Sequence, residues 1–101
     1  MEHRDPAKVA SKHYWVVFEN ERVRVLENRM KPKEKTEMHS HPACLGIFVD
    51  AAKLRFTSPE GKIGEASGKA GEVAWFEPTT HTTENVGKNE VHAFIVEFKG
   101  V

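Results

Sequence analysis

The sequence is short of most features that announce a function. It has one cysteine in 101 residues, Cys44, so no disulfide can form within the chain. Charge of neither sign prevails: 15 Lys and Arg balance 15 Asp and Glu, which leaves no overall field to draw in nucleic acid or anionic lipid. Like charges do not gather in blocks either; Lys31-Pro32-Lys33-Glu34-Lys35 is interrupted and reads as a solvated turn. No apolar run is long enough to span a bilayer, and Met1 to Lys12 lack the apolar stretch of a signal peptide. The expectation is a cytoplasmic protein that engages neither membrane nor nucleic acid. A glycine-rich phosphate loop is missing, as is any long apolar stripe at helical spacing.

What the chain does have is a series of short β-favouring runs between turn signals. Residues 1–12, polar and broken by Pro6, are expected as an N-terminal arm, with one domain over 13–101. Tyr14 to Phe18 is predicted as a strand closed by Glu19-Asn20-Glu21. Val23 and Val25 alternate with Arg22 and Arg24, a half-buried pattern. Its parity changes at Leu26 and Met30, so a bulge is expected near Leu26. Further strands are predicted at Glu37–His41, Leu45–Val49, Lys53–Thr57, around Ile63, at Glu72–Phe76, at Thr79–Val86, and at Val91–Phe98, with His92, Phe94, Val96 and Phe98 on one face. Ser58-Pro59-Glu60-Gly61 and Gly87-Lys88-Asn89 mark turns between them. Some nine short strands at this spacing imply an all-β sandwich or barrel. A domain this small hides only about 60–65% of the surface its unfolded chain exposes. Tyr14–Phe18, apolar on both faces, is therefore expected to pack on a second copy in a homodimer.

The unusual number is histidine: six, at positions 3, 13, 39, 41, 81 and 92. His39 and His41 lie two apart on a predicted strand and so project from one face, close enough to share an ion at about 2.0–2.1 Å. An H-x-H pair alone is weak evidence in a chain with this many histidines. A second cluster strengthens it: Gly71-Glu72-Val73-Ala74-Trp75-Phe76-Glu77-Pro78, then His81, followed four residues on by Asn85.

These two stretches, within an all-β pattern from about Glu21 to Phe98, resemble the two motifs of the cupin superfamily, G-x5-H-x-H-x3–4-E-x6-G and G-x5-P-x-G-x2-H-x3-N. The resemblance implies a single-domain cupin jelly-roll β-barrel of the RmlC-like kind, with a metal in its mouth. It covers His39, His41, His81 and Asn85. Lys33 stands where the first motif opens with glycine, and that motif's last glycine has no counterpart. Leu45 or Gly46 stands where the motif glutamate would ligate metal. In the second motif Gly71 is one residue closer to the histidine than the pattern asks, and Pro78 replaces the inner glycine. Val23-Arg24-Val25-Leu26, Met38-His39-Ser40-His41-Pro42 and Gly71–Phe76 are similar to phrases in small cupins described as β-alanine degradation proteins, a group whose chemistry is poorly defined.

Three imidazoles without a carboxylate suit one divalent transition metal, Fe(II) first, with Zn, Ni, Mn or Cu also fitting, and leave coordination positions open. Among cupins, such sites resemble those of thiol dioxygenases and of the β-dicarbonyl-cleaving dioxygenase. The expectation is thus a dioxygenase-like oxidoreductase, or a Lewis-acid isomerase or hydrolase, acting on a small polar or carboxylate-bearing molecule. The alternatives are a non-catalytic module that binds metal or a small molecule, and a cupin that has lost its metal. Glu37, on the parity of His39 and His41, and Cys44 are candidate fourth ligands, each weighed against a solvated glutamate and a simply buried thiol. His92 and Glu37 are candidate catalytic groups. Trp75, Phe48, Phe94 and Arg55 are candidate pocket residues, the arginine to pair with a substrate carboxylate. Because imidazole must be neutral to ligate, metal affinity is expected to fall as pH drops through about 6.5.

Overall fold

The computed structural model describes residues 3–100; the ends of the segment and domain predicted above, Met1, Glu2 and Val101, lie outside it. The nine predicted strands form: β1 (Tyr14–Glu19), β2 (Val23–Met30), β3 (His39–His41), β4 (Cys44–Phe48), β5 (Ala52–Thr57), β6 (Ile63–Gly68), β7 (Val73–Phe76), β8 (Thr79–Asn85) and β9 (Val91–Phe98). They make a five-stranded sheet in the order β1-β2-β9-β4-β7 and a four-stranded sheet in the order β3-β8-β5-β6. All strand pairs are antiparallel. Successive strands mostly cross from one sheet to the other, which is jelly-roll connectivity. The barrel expected from the sequence is a two-sheet roll: no strand pairing among the described residues joins the two sheets.

The core lies between the sheets. Met30, Phe48, Ala52, Leu54, Val91 and Ala93 form its main cluster, and Ala10, Tyr14 and Leu26 a second one near the N-terminus. The segment expected as an arm is, over its described residues, an ordered element. Asp5 caps a single helical turn, α1 (Pro6–Val9), accepting from the Ala7 amide at 2.9 Å. Pro6 and Ala10 are buried. Pro6 at the first helical position is what opened this turn, since its missing N–H costs nothing there; four residues are too few to show a period in the sequence.

The register of β2 differs from the one the valines suggested. Leu26, Asn28 and Met30 are buried while Val23 and Val25 are only half covered. Arg24 shares the inner parity, where it meets Asp5 and Glu97, so a charged residue was hidden in the core pattern. The bulge exists but on the neighbouring strand: Val16 pairs with Leu26 and Phe18 with Val25, leaving Val17 extra. This one residue turns Phe18 to the outer side of the sheet. On β9 the inner residues are Val91, Ala93, Ile95 and Glu97, so the predicted face of His92, Phe94, Val96 and Phe98 points outward. Both faces of β9 are largely apolar, and alternation alone does not say which of two such faces is covered.

Candidate metal centre

Two adjacent strands bring the three histidines together. His39 and His41 point inward from β3, and His81 on β8 sits directly opposite His39 in the antiparallel register. Residues opposite each other on one face have Cβ atoms about 4.5–5.5 Å apart. One nitrogen of each of His39, His41 and His81 lies within 4.8 Å of the others. Ring centroids are 4.8 Å apart for His39 and His41 and 5.0 Å for His39 and His81, with the planes nearly perpendicular. The arrangement points three nitrogens at one volume instead of stacking the rings.

Each ring is held by its surroundings. The Nδ1 of His39 lies 2.8 Å from the Glu37 carbonyl and 3.3 Å from the Thr36 hydroxyl. A carbonyl only accepts, so Nδ1 carries the proton and Nε2 keeps its lone pair. That Nε2 is buried and has no hydrogen-bond partner. His41 donates from Nδ1 to Glu97 at 2.8 Å, which likewise leaves its Nε2 free. His81 is stacked on Phe56 with centroids 4.6 Å apart and planes 9° apart. Burial, and then the positive charge of neighbouring imidazoles, lowers the pKa of His39 to about 4 and of His81 to about 3. Both are therefore neutral at pH 7 with their lone pairs available. An orphaned buried nitrogen beside two similar ones fits a divalent transition metal, which would satisfy all three.

Glu97 escaped the sequence reading. It is 3% exposed and joins His41 to Arg24, whose Nε donates to it at 3.0 Å. Arg24 in turn grips Asp5 through both terminal nitrogens at 2.9 and 3.0 Å. The guanidinium holds the Asp5 carboxyl below the usual range. A chain of alternating charges thus runs from the N-cap of α1 to a ring of the cluster. The available signal was that Glu97 is the one acid in the apolar run Val91–Phe98; a lone carboxylate there needs a partner. Tyr14 is the other inner neighbour, its ring 4.9 Å from that of His39, and burial pushes its phenol up to about 12.

Beside the histidines lies a cavity of about 40 Å³ whose lining includes Cys44, Phe48, Phe56, Phe76, His41 and His81, room for a very few water molecules. Of the predicted pocket residues only Phe48 borders it. Trp75 is 52% exposed on the outer face, Phe94 faces outward from β9 beside His92, and Arg55 is on the surface, bound to Glu65 at 3.1 Å. Among the described residues no lysine or arginine lines the cavity, so the arginine expected to pair with a substrate carboxylate lies outside it. The two candidate catalytic groups are also elsewhere. His92 lies on the outer face with its Nε2 2.7 Å from Glu27. Glu37 is exposed and reaches the site only through its backbone carbonyl, because the chain enters β3 after it. Cys44 borders the cavity, but burial drives its thiol up to about 12, and it is outside the three-nitrogen cluster. Asn85 is a structural lock: 1% exposed, it donates to the Met30 and Asn89 carbonyls and accepts from Gly87.

The missing glutamate has a structural account. Leu45 points outward and Gly46 inward, so Gly46 holds the position that would face a metal. A Cβ built on Gly46 would lie 2.9 Å from the Phe76 ring. The space a glutamate side chain would take is filled by phenylalanine.

No family model and no curated protein sequence matches the chain. Solved structures do. A cupin domain from Bordetella pertussis Tohama I superposes with a TM-score of 0.77 over 99% of both chains at 24% identity. A Klebsiella pneumoniae protein with a double-stranded β-helix domain gives 0.67 over 86% of this chain and 76% of its own, at 21% identity. An RmlC-like cupin family protein from Methanocaldococcus jannaschii gives 0.63 over 86% and 81%, at 14% identity. The chain has the cupin fold, with three histidines gathered where its two sheets enclose a cavity.

Proposed function

We propose that this cupin-fold chain is a metal-dependent enzyme, dioxygenase-like, that holds one divalent transition metal on His39, His41 and His81. The observation that carries the reading is the unpartnered, buried Nε2 of His39 beside two other imidazole nitrogens. Three neutral nitrogen donors suit borderline metals, Fe(II) first, then Zn, Ni, Mn or Cu, over hard Mg or Ca. Bound there, the metal would supply a Lewis-acidic and, if iron, redox-active centre with free positions. The chain's residues do the rest. Glu37 and Glu97 fix the tautomers of His39 and His41, Phe56 braces His81, and Phe48 and Phe76 keep bulk water from the cavity.

The substrate expectation narrows accordingly. With no lysine or arginine among the described residues that line the cavity, a small molecule would be held by its own donor atoms on the metal and by a short apolar body against Phe48, Phe56 and Phe76. The small cavity also favours a second reading, in which metal stabilises the roll and no turnover occurs. Elemental analysis of natively purified protein, followed by oxygen uptake of the anaerobically Fe(II)-loaded protein with small thiols and β-diketones, separates the two. Iron at one per chain with uptake supports the enzyme; bound metal without uptake supports the binding module. His81→Ala should abolish metal binding in equilibrium dialysis, whereas Cys44→Ser should retain it; tight binding by the alanine variant would remove the three-histidine site.

A further inference from the structure

The described N-terminal residues reach the histidine cluster by three separate contacts. The first is on the backbone. β3 is an edge strand of its sheet, and Arg4 lies along its open edge. The Ser40 amide donates to the Arg4 carbonyl at 2.7 Å, and the Arg4 amide donates to the Ser40 hydroxyl at 3.2 Å. Ser40 stands between His39 and His41 and points to the other side of the strand. Its hydroxyl is also 2.8 Å from that of Thr80 on β8, so this short strand is tied down on both sides. The second contact is apolar. Ala7 and Ala10 pack with Tyr14 and Leu26, and the Tyr14 ring lies 4.9 Å from that of His39 and 5.7 Å from that of His41. The third is ionic. Asp5 presents one carboxylate oxygen to each terminal nitrogen of Arg24. The other side of the guanidinium, Nε and Nη2, grips one oxygen of Glu97, Oε1, at 3.0 and 2.9 Å. The remaining oxygen, Oε2, accepts from Nδ1 of His41 at 2.8 Å.

We infer, resting on the metal reading above, that Asp5 is a positioning residue for the metal centre: through Arg24 and Glu97 it fixes the His41 ring and strengthens that ring's hold on the ion. The N-terminal segment, which lies outside the cupin-like stretch 21–98, is thereby part of the site. Two effects act in the same direction. One is geometric. An arginine held by a carboxylate on each side of its planar fork has little freedom left, so Glu97 is kept from swinging Oε2 away from His41. The other is electrostatic. Arg24 alone would cancel the charge of Glu97, whereas two carboxylates around one guanidinium leave one negative charge at the Nδ1–H of His41. An imidazole that donates to a negative group is the more basic ligand through its other nitrogen. The side chains of Asp5, Arg24 and Glu97 are only 23, 15 and 4% exposed, and partly buried charges are screened little by salt. Capping is a separate duty of Asp5, met by its bond from the Ala7 amide, and asparagine caps a helix as well as aspartate does.

Asp5→Asn therefore keeps α1 while removing the charge and one of the two acceptor oxygens. Co(II) is a suitable probe, because its visible absorption reports coordination geometry as well as occupancy. Asp5→Asn should bind Co(II) several-fold more weakly than the wild type, a smaller loss than the about 10–100-fold typical of a ligand's direct partner, and its visible bands should shift as His41 loosens. In a Glu97→Gln background the same substitution should cause no further loss, because the path to His41 is already cut. Asp50→Asn, which removes an exposed acid elsewhere, should bind as the wild type does. An Asp5→Asn affinity equal to that of the wild type overturns the inference, and so do losses that simply add in the double variant. Nitrogen-15 spectra of the metal-free protein give a readout that needs no ion: the His41 proton should stay on Nδ1 in the wild type and be shared between both nitrogens in Asp5→Asn. Co(II) left unbound by the wild type would overturn the metal reading, and the tautomer would still decide the positioning, an unchanged one removing it.

Discussion

At the residue scale, the cluster is defined as much by what holds the rings as by the rings. A ligating histidine that donates its other N–H to a carboxylate is better oriented and more basic, and His41 has that partner in Glu97. Glu97→Gln keeps the shape but removes the charge; it should weaken metal binding by about 10–100-fold, read by competition with a chromophoric chelator. An unchanged affinity would show that Glu97 serves only to neutralise Arg24. Proton linkage gives a second prediction, for the metal-free protein. Unfolded, His39 and His81 titrate near 6.5; folded, they titrate near 4 and 3 because they are buried. Above pH 6.5 both states are neutral at these rings and stability does not change through them. Below it the unfolded chain gains protons that the folded chain does not. Stability therefore falls as pH drops from 6.5 toward the folded values, by up to about 1.4 kcal/mol per pH unit for each histidine. Urea midpoints measured at pH 7 and pH 5 should show the loss, and equal midpoints would contradict it. The same burial moves proton competition for metal at these two rings well below the pH 6.5 expected from the sequence.

At the element scale, short strands succeed here because each presents a small, alternating set of residues to one of two faces. β4 shows the principle most sharply. Cys44, Gly46 and Phe48 face inward and Leu45 and Ile47 outward, so one glycine at an inner position decides whether Phe76 can lie over the cavity. Gly46→Ala would bring a methyl to 2.9 Å from that ring. The ring must move, at a cost of about 1–3 kcal/mol. Gly64→Ala on β6, where nothing lies within 4 Å, is the matched control and should leave the thermal midpoint nearly unchanged. Because alanine favours a strand over glycine, a comparable loss in both variants would show that the Phe76 contact is not what sets the cost. The elements also show where sequence pattern was enough and where it misled. All nine strands were legible, because turn residues and period-two runs are local. The inner faces of β2 and β9 were not. Arg24 and Glu97 belong to the core only because each neutralises the other from a distant part of the chain, while valines and phenylalanines that look like core residues line the outside.

At the scale of the whole molecule, a roll of this size has little stability to spare, and a ligand that binds only the folded state adds to it directly. Metal at a hundred times its dissociation constant contributes about 2.7 kcal/mol, worth roughly 10–20 °C in a domain of this length. Fe(II), Ni or Zn added to stripped protein should raise the melting temperature by that order, and His81→Ala should lose the rise. No helix among the described residues is long and apolar enough to cross a membrane, in keeping with the apolar runs of the sequence. By itself the sequence determined the all-β architecture, the strand list and the three histidines, because turn chemistry, alternation and an H-x-H pair act over a few residues. The tertiary structure decided what those histidines face, which carboxylate supports them, why no glutamate joins them, and which side of the larger sheet is bare. Each of these depends on pairing between strands far apart in the chain. His39 meets His81 only when β3 pairs with β8, and His41 meets Glu97 only once the two sheets have closed on each other.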